Sequence, residues 1–144
     1  MKKLVSKSRK YLFFLIIIFL SANSCDKVQD SLIPDVPFSF NINLNINNGL
    51  MIPGNSEFFP RIGFGGVIVY CELPGTYYAY DAGCTYEISQ TCLVKNEGVL
   101  GTCSCCGSQF LLTGGAYPAK GPAAAPLKQY QVVVVNSSNL RVYN

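Results

Sequence analysis

Residues 101–110 read GTCSCCGSQF, and residues 81–87 read DAGCTYE. Between them the two segments hold Cys84, Cys103, Cys105 and Cys106, in a chain of 144 residues with seven cysteines and no histidine. Each segment is flanked or interrupted by glycine (Gly83, Gly101, Gly107), which marks a turn and not the interior of a regular element. Two thiol-bearing turns of this kind are candidates for a metal centre or for disulfides, because thiolate is a soft ligand for iron and zinc. Without histidine, no Ser-His-Asp or Cys-His nucleophile can be assembled. The C-x-x-C from Cys103 to Cys106 does not read as a thiol–disulfide exchange motif. That chemistry wants a helix start and nearby positive charge, whereas no helix start is evident here and the nearest cation along the chain is Lys95.

Outward from these segments, short runs of β-branched and aromatic residues alternate with Gly/Pro turns. Val67 to Cys71 and Tyr77 to Tyr80 flank Pro74-Gly75 and predict a hairpin, with Tyr77, Tyr78 and Tyr80 as cross-strand packing. Cys71 follows Val67 and Val69 at period two and reads as a buried apolar thiol. Further short strands are expected over residues 92–95, 99–102, 109–112, 129–135 and 140–143, with a turn over 136–139. Upstream, residues 38–47 (FSFNINLNIN) alternate apolar and polar without a break, the pattern of a half-buried strand. Residues 48–66 read as a long connection with turns. Glu72, Asp81, Glu87 and Glu97 are scattered and read as solvated turn or strand-end charges, not as an acid–base pair. No amphipathic helical stretch is found, so the fold class is all-β.

Residues 65–144 resemble a Rieske iron–sulfur domain. In that family a 2Fe-2S cluster sits between two loops at the tip of a β-sheet, one iron held by two cysteines and the other by two histidines. Each loop supplies one of each, as C-x-H and C-x-x-H. Cys84-Thr85-Tyr86 falls on the first pattern and Cys103-Ser104-Cys105-Cys106 on the second. Tyr86 and Cys106 therefore stand where the histidines would be. GSQF after Cys106, Gly114-Gly115, and Gly121-Pro122-Ala123 resemble the remaining loops around the cluster. The resemblance implies an antiparallel β-sandwich with two cysteine-bearing loops at one tip. It also implies that Ser108 bonds a bridging sulfide. Phe110 occupies a position where many members have a donating tyrosine. The family's disulfide joins the middle cysteine of the second loop, here Cys105, to a first-loop position that falls on Ser89; Cys92, three residues on, is the substitute partner.

The N-terminus adds a targeting signal. Residues 1–10 carry Lys2, Lys3, Lys7, Arg9 and Lys10, residues 11–20 (YLFFLIIIFL) are continuously apolar, and small or polar residues lead into Cys25. Ten apolar residues are too few to span a bilayer, and the three-part pattern is that of a secretory signal. The expected organisation is a signal peptide over 1–24, a lipid-anchored tether over 25–37 acylated at Cys25, and a Rieske-like domain over 38–144. The expected location is the bacterial cell envelope, on its periplasmic or outer side. After Cys25 there remain six basic and eight acidic residues, a side-chain balance of 6 − 8 = −2. No basic stripe is left for nucleic acid.

An exported chain folds where disulfides persist. The preferred expectation is therefore a non-catalytic envelope module without a cofactor, stapled by disulfides. Cys84 would face Cys103 across the vacated metal position and Cys92 would pair with Cys105, each bridge contributing about 2–5 kcal/mol. The alternative is an electron-transfer protein binding a 2Fe-2S cluster through altered ligands: Cys84, Tyr86, Cys103 and Cys106. Zinc or another ion at these thiols is the third reading. Membrane lipid, through Cys25, and an envelope redox or structural protein are the expected partners.

Overall fold

The computed structural model describes residues 31–144; the expected signal peptide, Cys25 and the start of the expected tether lie outside the described residues. Ten strands follow one another: β1 (Ser39–Asn43), β2 (Ser56–Phe59), β3 (Val67–Leu73), β4 (Thr76–Asp81), β5 (Val94–Glu97), β6 (Leu100–Cys103), β7 (Gln109–Leu111), β8 (Tyr117–Lys120), β9 (Gln129–Asn136) and β10 (Asn139–Tyr143). Among the described residues the helical content is one 3-10 turn at Asn48–Met51. The larger sheet has the order β1-β10-β9-β4-β3-β2 and the smaller one β5-β6-β7-β8. Every strand pair is antiparallel.

β3 explains why the run VIVYC reads as continuously apolar: it is covered on both faces. Val67 and Val69 join one core with Ile42, Leu50, Ala79, Leu140 and Val142. Ile68 and Tyr70 join a second core with Tyr80, Val94, Phe110 and Leu112, and this core extends to the thiols of Cys84 and Cys103. Burying a side chain such as Phe110 or Leu112 stabilises by about 1.5–3 kcal/mol. The second core is shared by both sheets, so it fixes the two cysteine loops relative to each other.

Several boundaries differ from the sequence pattern. The alternation over 38–47 forms a strand only to Asn43. There the Asn43 side chain accepts the Asn45 amide at 2.9 Å, and its carbonyl accepts the amides of Ile46 and Asn47. The side chain mimics a turn and ends the strand. β2 lies inside the expected connection, as a short edge strand against β3. β8 contains Pro118, which an edge strand tolerates because its missing N–H can face outward.

The segment expected as the second half of a tether packs on the domain. Ile33 is 1% exposed. The Lys128 ammonium donates to the Pro34 carbonyl and pairs with Asp35. The Asn144 amide donates to the Val36 carbonyl at 3.1 Å. The ring of Phe38 stands edge-on to Tyr130.

Candidate metal centre

Two loops form the centre. The first, residues 82–93, leaves β4; the second, residues 104–108, links β6 to β7. Within the first loop Cys84 N–H donates to Cys92 O and Gly83 pairs with Leu93; Ser104 N–H, from the second loop, donates to Leu93 O and holds the two side by side. A disulfide joins Cys92 to Cys105. Within the second loop Gly107, at φ 70, donates its amide to Cys103 O, and Cys103 N–H donates to Ser108 O.

The sulfurs of Cys84, Cys103 and Cys106 lie within 4.8 Å of one another. Cys84 and Cys106 are 3.6 Å apart. Cys84 and Cys103 are buried and Cys106 is half-buried. The expected Cys84–Cys103 bridge does not form. Among the described residues the free thiols are Cys71, Cys84, Cys103 and Cys106. Cys71 is buried away from this cluster in β3, as its period-two position implied. Tyr86, on the first loop, is 55% exposed, unlike the buried Cys84 and Cys103.

The three thiols are not equivalent. Burial pushes the Cys84 thiol up to about 12, opposed by the amides of Glu87 and Tyr86, which are positioned to donate to a thiolate. Burial also acts against the Cys106 thiolate. There the Ser108 hydroxyl and amide, with the Cys103 and Cys84 thiols, outweigh it and hold the group below its ordinary value. Ser108 is fully buried; its Oγ lies 3.1 Å from the Cys106 sulfur and accepts the Ala123 amide at 3.0 Å. The Cys106 thiol donates to the same oxygen; once Cys106 is a thiolate, the Ser108 proton can turn to the sulfur. Gly121 lets the covering loop approach this closely. It sits at φ +92, and a Cβ there would fall 2.6 Å from the Ser108 Cα. Thr85 Oγ1 donates to Ala125 O at 2.8 Å and ties the first loop to the same cover.

Asp81 corrects the reading of scattered solvated acids. It is fully buried. Its carboxylate accepts the amides of Phe64 (2.9 Å), Gly65 (3.0 Å) and Gly83 (2.6 Å), and the Tyr130 hydroxyl at 2.6 Å. Gly83 immediately precedes Cys84, so Asp81 sets where the first thiol emerges. Burial and the hydrogen bond to Asp81 push the Tyr130 hydroxyl well above the usual phenol range. The signal for this hub was the glycine run over 63–66: a Cβ at Gly65 would meet Gly83 N at 2.6 Å and Asp81 at 2.9 Å.

The centre and its scaffold define a Rieske-like fold. No family model matches the chain, and no curated protein matches it. Solved structures do. A chain of the complex of reduced oxygenase and oxidized ferredoxin in carbazole 1,9a-dioxygenase is 24% identical, with a TM-score of 0.51 over 73% of this chain and 92% of that one. The ferredoxin of carbazole 1,9a-dioxygenase from Nocardioides aromaticivorans IC177 is 22% identical, with a TM-score of 0.47 over 74% and 96% of the two chains. A ferredoxin of Sphingomonas yanoikuyae B1 is 18% identical, with a TM-score of 0.46 over 65% and 88%.

These findings correct the expectation of a domain without a cofactor. The first of these neighbours comes from a structure that contains a ferredoxin, an iron–sulfur protein, and it points to an iron–sulfur cofactor and not to none. The donor chemistry agrees in part. Three free thiols converge where the fold presents its two loops, and thiolates suit iron–sulfur centres. The residues fit a thiolate-held centre and exclude a bis-imidazole one.

Proposed function

We propose that this chain is a one-electron carrier of the bacterial cell envelope. Its iron–sulfur centre would be held by Cys84, Cys103 and Cys106. The observation that carries the reading is the convergence of three free thiols within 4.8 Å between two disulfide-linked loops. When bound, a 2Fe-2S group supplies reversible one-electron transfer. The chain's own residues would hold and insulate it. Burial of Cys84 and Cys103 excludes water, Ser108 donates to the Cys106 thiolate, and the covering loop at Gly121 to Pro126 closes the site. Thiolate in place of imidazole adds negative charge and favours the oxidised state. The partner is a redox protein, a reading supported by a structural neighbour that comes from an oxygenase–ferredoxin complex. The basic start, apolar run and Cys25 support export and acylation, with membrane lipid as the anchor.

The test is the full chain, exported from an iron-replete host and purified from membranes. We expect red-brown absorbance with about two irons and two acid-labile sulfides per chain, the stoichiometry of a 2Fe-2S centre. Loss of colour in Cys84→Ser, Cys103→Ser and Cys106→Ser would assign the ligands. A colourless chain whose three thiols all react with alkylating reagent once it is unfolded overturns the reading. One observation favours a second reading, a single soft ion on three thiolates. Ligands about 2.3 Å from a tetrahedral metal lie about 3.8 Å apart, close to the 3.6 Å between Cys84 and Cys106. Metal without labile sulfide would favour it.

A further inference from the structure

We infer that the cysteine-bearing tip rests on a lipid surface, with Leu32, Tyr86 and Ile88 as the contacting side chains. The inference rests on the membrane anchorage proposed above. Three observations converge on it.

The first is where the described chain begins. Residues 31–38 are bound along the domain: Ile33 is buried, Lys128 holds Pro34 and Asp35, and Asn144 holds Val36. This strap is fixed at the tip itself, since a Cβ at Gly83, next to Cys84, would lie 3.2 Å from the Ile33 side chain. The chain therefore leaves the domain beside the thiol loops.

The second is covalent reach. Six residue steps separate Cys25 from Ser31. At 3.3–3.6 Å per residue they span at most about 22 Å. An acyl group on Cys25 holds Ser31 within that distance of the bilayer, and a strap bound to the domain cannot lengthen the leash.

The third is the surface at this end. Leu32 is 56% exposed, Tyr86 55% and Ile88 47%. Leu32 adjoins the strap residue packed on Gly83, and Tyr86 and Ile88 belong to the first cysteine loop. Tyrosine with aliphatic neighbours is the composition found at the lipid headgroup boundary. Val133 to Val135, also exposed, lie on the β9–β10 ribbon near its turn, further along the chain from Lys128, which holds the strap.

The chain contains no tryptophan, so one introduced indole reports on one position. Ile88→Trp places it in the first loop. Leu73→Trp places it on an exposed site at the far end of the β3–β4 hairpin, six residues from Val67 and about 20 Å from the tip at 3.3 Å per residue. Each full-length acylated variant is reconstituted in vesicles of phosphatidylethanolamine and phosphatidylglycerol doped with brominated phosphatidylcholine. We expect the indole at 88 to shift to the blue and to be quenched at least about threefold more than the one at 73, because only the former reaches the headgroup boundary. Equal quenching, or none at either position in vesicles that carry the protein, overturns the lipid-facing tip while leaving the anchor intact. Failure of the full chain to float with vesicles overturns the anchor and this inference together. Iron content, measured on the same samples, tests the electron-carrier reading separately.

Discussion

Asp81 concentrates more of the centre's geometry than any cysteine does. One buried carboxylate takes three backbone amides and a phenol, and those donors come from the glycine run, the first cysteine loop and β9. Asp81→Asn keeps the shape but turns one acceptor into a donor facing amides. Hydrogen bonds to a charged group contribute about 1.5–3 kcal/mol each, so we expect a loss of about 3–4 kcal/mol. Tyr130→Phe, which removes one donor and leaves the amides paired, should cost about 1–2 kcal/mol. Urea unfolding measures both, and a similar loss in the two variants would contradict the hub. At the thiols, the sign of the titration is also predictable. In metal-free protein Cys106 should alkylate first as pH rises towards the ordinary thiol range, while buried Cys84, pushed up to about 12, stays protected. Ser108→Ala removes a donor to the Cys106 thiolate, so its alkylation midpoint should move to higher pH. Mass spectrometry after timed alkylation reads this, and an unchanged or lower midpoint would contradict it.

Elements show which parts of the fold could be read from the chain. The Val67–Leu73 and Thr76–Asp81 hairpin was legible because Pro74-Gly75 sits between two aromatic and β-branched runs, and Gly75 indeed takes φ 90. The end of β1 was not, because apolar alternation continues through Leu44 and Ile46 while the Asn43 side chain closes a turn beneath it. β2 and β8 were hidden for a related reason: edge strands need little patterning, and both lie in stretches dominated by turn residues. The thiol loops were legible as a likeness of spacing. Their chemistry was not, because whether Cys84 meets Cys103 in a bridge or stands free beside Cys106 depends on a few ångströms that spacing cannot fix. The Cys92–Cys105 bridge was implied by likeness and is present. It closes a loop with a sequence separation of 13. For a loop of that size chain entropy gives about 3 kcal/mol. The double variant Cys92→Ser with Cys105→Ser should lose about that much in urea unfolding of metal-free protein. A loss under about 1 kcal/mol would mean that the backbone contacts between the loops already suffice.

At the scale of the whole molecule the decisive fact is compositional: 144 residues and not one histidine. In a bis-imidazole centre the ligand itself can take up a proton when the metal is reduced, which makes the potential fall as pH rises. Here the available ligand atoms are thiolates, and thiolates bound to metal do not titrate in the neutral range. Ser108 and the backbone amides of Tyr86 and Glu87 offer fixed donors and no exchangeable charge. A chain without histidine keeps the two-loop cradle and offers no imidazole proton to accompany an electron. For the metal-loaded chain we expect a midpoint potential below about −150 mV, the lower edge for Rieske centres. It should also be constant from about pH 6 to 9, where imidazole would titrate if present. Protein-film voltammetry measures both quantities. A slope near 59 mV per pH unit, the Nernst value for one proton per electron, would show that a protonation site other than imidazole is coupled to the centre. A flat potential in the Rieske range would instead mean that exposure and hydrogen bonding at this tip outweigh the charge of the extra thiolate.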